Sequence, residues 1–142
     1  MTKPQITITT DVDAPITHAW QAYTTPADIT QWNFASDDWR CPSAEVDLRV
    51  GGKYNARMEA RDSSFGFDFE AVYEELDPGK ALTMAMADGR KARTTFKATD
   101  TGTRVTTVFD AETENPVDMQ RDGWQAILNN FKAHAERSAK AH

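Results

Sequence analysis

The chain has one cysteine, Cys41, among its 142 residues, and this excludes an internal disulfide framework. It has no apolar run approaching the roughly 18 residues of a membrane-spanning helix, and its start, MTKPQITITT, lacks the charged-then-apolar layout of a secretory signal. Positive charge is in short supply: 16 Lys and Arg stand against 22 Asp and Glu, for a formal net charge of -6. Nucleic acids and anionic membrane surfaces both call for clustered cations to displace counterions, so neither nucleic-acid binding nor membrane insertion is expected. Histidine is scarce, and His18, His134 and His142 lie far from one another and from Cys41 in sequence. Neither a zinc-ligand spacing nor a Cys-His pair is present, so no metal site is expected. The pair of glycines in VGGKY (residues 50–54) joins two strands rather than opening a helix, which excludes a phosphate-cradling loop. These absences describe a cytoplasmic protein with no cofactor.

The residues that are present form a regular pattern. In QITITTDV, Ile6, Ile8, Thr10 and Val12 alternate with Gln5, Thr7, Thr9 and Asp11, as in a strand with one wet face. Asp13 is expected to cap a short helix with Pro15 in its first turn and Ile16, Ala19, Trp20 and Tyr23 at helical spacing. Thr25, Pro26 and Asp28 start a second short helix that carries Ile29 and Trp32 inward. Strands separated by turns follow. Val46, Leu48 and Val50 form one stripe; Tyr54, Ala56, Met58 and Ala60 the next; then Phe65, Phe67, Phe69, Ala71 and Tyr73. The later stripes are Leu82, Met84 and Met86, then Ala92, Thr94, Phe96 and Ala98, then Val105, Thr107 and Phe109. The links GG, DPGK, DGRK and DTGT are turn chemistry, and links this short join antiparallel neighbours.

The chain closes on a long helix. Asn115 is the expected cap, Pro116 opens it, and Asp118 meets the positive end of the dipole. Met119, Trp124, Ile127, Leu128, Phe131 and Ala135 are expected on one face. Such a face needs a large apolar partner, and the sheet is the one available. The expected architecture is therefore one α+β domain over residues 1–142, with about seven antiparallel strands, two short helices after the first strand and a C-terminal helix laid across the sheet.

Four stretches carry a resemblance: DAPITHAW (13–20), DLRVGGKY (47–54), FDFEAVYEELDP (67–78) and GWQAILNNF (123–131). In this order and spacing they resemble the START-like (SRPBCC) superfamily, in the branch of homologues of the activator of the heat-shock-protein-90 ATPase. Ala71 and Arg40 depart from that pattern, standing where glycine and histidine are usual. The resemblance implies a helix-grip fold whose cavity, between sheet and last helix, binds apolar molecules such as lipids, polyketides or flavonoid-like compounds.

One segment fits no regular period. WNFASDDWRCPSA (32–44) concentrates two tryptophans, a phenylalanine and two aspartates without strand or helix spacing. In a helix-grip fold it passes the cavity mouth, so Trp32, Phe34 and Trp39 are candidate entrance residues. Tyr54, Met58, Phe67, Phe69, Met84, Met86, Phe96, Met119 and Ile127 are the candidate cavity wall. Aromatic and methionine side chains alone do not distinguish a pocket lining from a filled core, and both readings stand at this point. Glu45, Asp47, Arg49, Arg57, Glu59 and Glu70 alternate with core positions and read mostly as a wet outer face.

Three functions fit the sequence. A carrier or sensor of an apolar small molecule leads, because no catalytic constellation accompanies the aromatic and methionine surface. A cyclase or hydrolase is the alternative, with Asp38 or Glu45 as general base and Arg57 orienting the substrate. A chaperone-ATPase modulator ranks last. Homodimerisation is left open.

Overall fold

The computed structural model describes residues 4–140. Its elements run β1 (Gln5–Val12), α1 (Ile16–Thr24), α2 (Pro26–Trp32), β2 (Trp39–Val46), β3 (Lys53–Ala60), β4 (Gly66–Asp77), β5 (Ala81–Met86), β6 (Lys91–Ala98), β7 (Thr103–Asp110) and α3 (Val117–Lys140). The seven strands form one antiparallel sheet in the order β1-β7-β6-β5-β4-β3-β2. Strands β2 to β7 are thus a meander closed by hairpins, and β1 pairs with the last of them, Ile8 opposite Thr107. The link from β1 to β2 must cross the whole sheet, and α1 and α2 fill that crossing. Together the curled sheet and α3 make the helix-grip, α+β fold.

Alternation sets the concave face. Ile8, Tyr54, Met58, Met84, Phe96, Thr107 and Phe109 point inward from their strands, and nearly all are buried. Helix α3 lies against β1, α1 and α2, and makes no comparable backbone approach to β3, β4 or β5 among the described residues. Phe131 fills its contact with the short helices, meeting Tyr23 and Trp32. Toward β3 to β5 side chains alone span the gap, and this is where space remains.

The structure moves one strand. The stripe Val46, Leu48, Val50 was expected as a strand over 45–50, but β2 occupies Trp39–Val46 and Asp47–Gly52 is a turn. Arg49 N donates to the Asp47 carbonyl at 2.8 Å and Gly52 N to that of Arg49 at 2.9 Å, while Leu48 and Val50 point to solvent. Turn hydrogen bonds outweighed an alternation only three residues deep. The second half of the aromatic segment 32–44 consequently supplies the sheet edge, where the register slips between Arg40 and Ser43. Pro42, which has no N–H to donate, is tolerated there because an edge strand leaves one row of groups unpaired.

Two expected caps are also corrected. Asp13 does not cap α1: Pro15 holds the N-cap position, and the backbone N–H of Asp13 donates to Glu136 Oε2 at 2.9 Å. Thr25 does take the N-cap position of α2, though without a side-chain bond, and Pro26 starts the helix as expected. Asn115 gives its side-chain N–H to Glu112 Oε1, and the Pro116 carbonyl receives the Gln120 N–H instead. The buried Gln120 side chain then ties down the approach to α3, through Glu112 N and the carbonyls of Glu112 and Asn115.

The turn before β3 explains its glycines. Gly51 sits at φ 85°, and a Cβ on Gly52 would lie 2.0 Å from the Asp47 carbonyl oxygen. Gly52→Ala is expected to cost about 2 kcal/mol or more, since backbone must move. Gly123 in α3 has open space around it, so Gly123→Ala is expected to stabilise by about 0.5–1 kcal/mol through helix propensity. Urea denaturation of the two variants checks these opposite signs.

Candidate functional site

A cavity of about 210 Å³ lies between α3 and the concave face. Strands β3 to β5 supply Tyr54, Met58, Phe67, Phe69 and Met84, and the opposite wall is Ile8, Thr107, Trp124, Ile127 and Leu128. Tyr23, Trp32 and Asn33 close it from the short helices. The surfaces are overwhelmingly apolar, and the rings are held rather than loose. Trp32 donates its indole N–H to the Ala22 carbonyl at 3.0 Å, stacks on Tyr23 at 5.2 Å and meets the edge of Phe131 at 5.2 Å. Trp124 stacks on Phe109 with centroids 3.9 Å apart. Trp32 is therefore core and cavity wall at once, because an aromatic ring has two faces to offer.

Polar atoms on the wall are few and form two groups. Tyr23 OH lies 3.3 Å from Thr94 Oγ1, which lies 2.9 Å from Thr107 Oγ1 across the β6–β7 register. Asn33 Nδ2 donates to Tyr54 OH at 3.2 Å. Burial raises the phenol pKa of Tyr23 and, more strongly, that of Tyr54, so both remain protonated at neutral pH. Among the described residues no Asp, Glu or His lines this cavity.

Of the residues singled out from sequence, Trp32, Tyr54, Met58, Phe67, Phe69, Met84 and Ile127 line the cavity. Five do not. Phe34 is half-buried and packs on the core, with its carbonyl bound by Asn130 Nδ2. Trp39 belongs to a cluster at the surface, its ring 5.9 Å from Phe65 and 6.1 Å from Phe67. Phe96 is buried between Trp20 and Tyr23, beneath the wall rather than in it. Met86 sits directly opposite Ala71 across the β4–β5 register and lines a second hollow instead. Met119 is 60% exposed. The apolar stripe of α3 passes through position 120, and Met119 stands one residue off it.

Asp38 is exposed, as is Asp37. Their carbonyls accept hydrogen bonds from Arg61, at 2.8 Å from its backbone N and 2.6 Å from its Nε, which ties this loop to the β3–β4 hairpin. Asp38 is not among the residues that line the cavity, so the general-base role considered for it in the enzyme alternative has no footing there. Glu45 and Arg57 are not on the wall either. Arg57 pairs with Glu59 at 3.1 Å and Arg40 pairs with the same carboxylate at 2.9 Å, both on the wet face. These hydrogen bonds hold Glu59 below the usual carboxylate range, with Arg57 the larger influence. Cys41 is buried, and desolvation pushes its thiol up to about 11. His134 binds Asp28 at 2.8 Å, tying α3 to α2, and His142 lies outside the described residues.

Ile8, Tyr23, Asn33, Thr107, Trp124 and Leu128 were not singled out as cavity residues from sequence. One signal pointed to part of this set: threonine at inward positions in two facing strands, Thr94 and Thr107. A hydroxyl at an inward position needs a buried partner, and Tyr23 supplies it.

A second hollow of about 740 Å³ covers the β2–β5 end of the sheet, with Glu45, Asp47, Lys53, Glu70 and Val72 among its walls. It is larger but open and of mixed polarity. The cavity under α3 is the better site for an apolar ligand, because its walls are almost wholly apolar and affinity for such a molecule follows the apolar area removed from water.

No curated protein matches the sequence, but solved structures do. An AHSA1-like protein from Aeromonas hydrophila is 38% identical, covers 95% of this chain and 94% of its own, and superposes with a TM-score of 0.90. A protein from Cytophaga hutchinsonii, also 38% identical, covers 99% of this chain and 96% of its own, with a TM-score of 0.78. A protein from Nitrosomonas europaea shares the fold at 18% identity, with 97% coverage of both chains and a TM-score of 0.82. No helix among the described residues is long and apolar enough to cross a membrane. With the family profile matching residues 13–136, the grip of α3 on the curled sheet is that of a known family: the chain belongs to the activator of Hsp90 ATPase homolog 1-like proteins.

Proposed function

We propose that this protein binds a small, flat, apolar molecule between α3 and the sheet, as a carrier or sensor. The observation that carries the reading is the cavity itself: about 210 Å³ walled by Met58, Phe67, Phe69, Met84 and Ile127. An apolar void in a close-packed interior forfeits dispersion contacts, and a ligand restores them. Size narrows the ligand class. An apolar cavity of roughly 150 Å³ takes up benzene, so the present one suits one or two fused rings rather than a long acyl chain or a many-ringed polyketide. Entry is through Phe67, which is 42% exposed, lines the cavity and contacts the surface rings Trp39 and Phe65.

Tetralin, a two-ring hydrocarbon, is a suitable probe. Its titration should shift the methyl resonances of Met58 and Met84 to saturation, with Kd between about 1 and 100 µM, or roughly -8 to -5.5 kcal/mol. Absence of any shift up to the solubility limit of the probe would remove the reading. Native mass spectrometry of gently purified protein should also reveal a retained apolar molecule.

A further inference from the structure

If the cavity is the binding site proposed above, its hydroxyl groups bear on what it binds. A tyrosine hydroxyl carries one proton to donate and lone pairs to accept with. Tyr54 OH is spent as an acceptor, toward Asn33 Nδ2 at 3.2 Å. Its own proton has no acceptor among the described residues, although the side chain is only 5% exposed and lines the cavity. On the opposite wall the hydroxyls of Tyr23, Thr94 and Thr107 satisfy one another, Tyr23 OH lying 3.3 Å from Thr94 Oγ1 and Thr94 Oγ1 2.9 Å from Thr107 Oγ1, which leaves Tyr54 as the unspent donor. Buried donors without partners are costly, and a group that supplies the acceptor recovers the loss.

We propose that the ligand carries a carbonyl-type acceptor and that the Tyr54 hydroxyl donates to it, making Tyr54 the residue that selects aromatic ketones over hydrocarbons of the same shape. Apolar walls set the size and flatness of the ligand. Tyr54 sets its orientation, because a single donor fixed by Asn33 admits the carbonyl at one end of the cavity. Carboxylates are disfavoured, since among the described residues no cation lines the wall to balance a buried charge.

The test pairs 1-tetralone with tetralin, two bicyclic molecules that differ by one carbonyl, against the parent and Tyr54→Phe. Methionine methyl shifts report both titrations. Tyr54→Phe should weaken 1-tetralone about tenfold while leaving tetralin within twofold, so tetralin also certifies that the variant is folded. Infrared spectra of carbonyl-labelled 1-tetralone add an independent readout: the C=O stretch should fall to lower wavenumber in the parent complex and return in the variant. Equal affinities of the variant and the parent for 1-tetralone, or an unshifted stretch in the parent, would overturn the role of Tyr54 while the binding cavity stands. Failure of both compounds to bind the parent would instead overturn the cavity as a binding site, and the role of Tyr54 with it.

Discussion

Phe131→Ala is expected to lower unfolding free energy by about 3–5 kcal/mol and the melting temperature by roughly 10–15 °C. The ring is fully buried and meets Tyr23 at 5.1 Å and Trp32 at 5.2 Å, both edge-on. It joins α3 to α1 and α2 at one point, and each aromatic pair adds about 0.5–1.5 kcal/mol beyond area burial. Truncation also opens space beside a cavity that Tyr23 and Trp32 already line, so little collapse can offset the loss. Phe65→Ala is the control. That ring is 61% exposed, and its removal should stay within about 0.5 kcal/mol. Equilibrium denaturation with matched m-values measures both, and a Phe131→Ala cost below about 1.5 kcal/mol would show that the contact between α3 and the short helices is not what holds the helix down.

Ile127→Trp should abolish binding of tetralin and 1-tetralone alike, a loss of at least a hundredfold, without loss of stability. Ile127 is half-buried on α3 and faces the cavity, where an indole can occupy the space a ligand would. Cavity filling commonly adds about 0.5–2 kcal/mol, so the melting temperature should hold or rise. The combination separates occupancy from unfolding, since a destabilised variant would lose binding and stability together. A variant that keeps normal affinity would place the ligand elsewhere, with the open hollow over Lys53 and Glu70 as the next site to probe.

Much of the fold was legible because its signals are local. Alternation marked five strands of the meander at their observed positions, since a period of two survives wherever one face is buried and the other wet. Pro26 and Asp118 marked helix starts for reasons contained within one turn of chain. The misread strand at 45–50 and the two misplaced caps share one cause. Asp13, Asp47 and Asn115 each had a local role available, and in each case another backbone or side-chain partner offered a better bond.

By itself the sequence determined the order of elements, the inward set of most strands and the apolar character of what they enclose, because these follow from the chemistry of neighbouring residues. Only the tertiary structure decided that the enclosed space is not filled. A void is a difference between the volume that ten elements surround and the side chains that enter it, and no single segment encodes that difference. The same holds for the wall: Met119 and Phe96 differ from Ile127 and Phe69 not in hydrophobicity but in helix rotation and depth, which packing fixes. The unspent proton of Tyr54 is likewise a tertiary fact, since it depends on Asn33 arriving from a helix end to occupy one side of a hydroxyl and on no acceptor among the described residues arriving at the other.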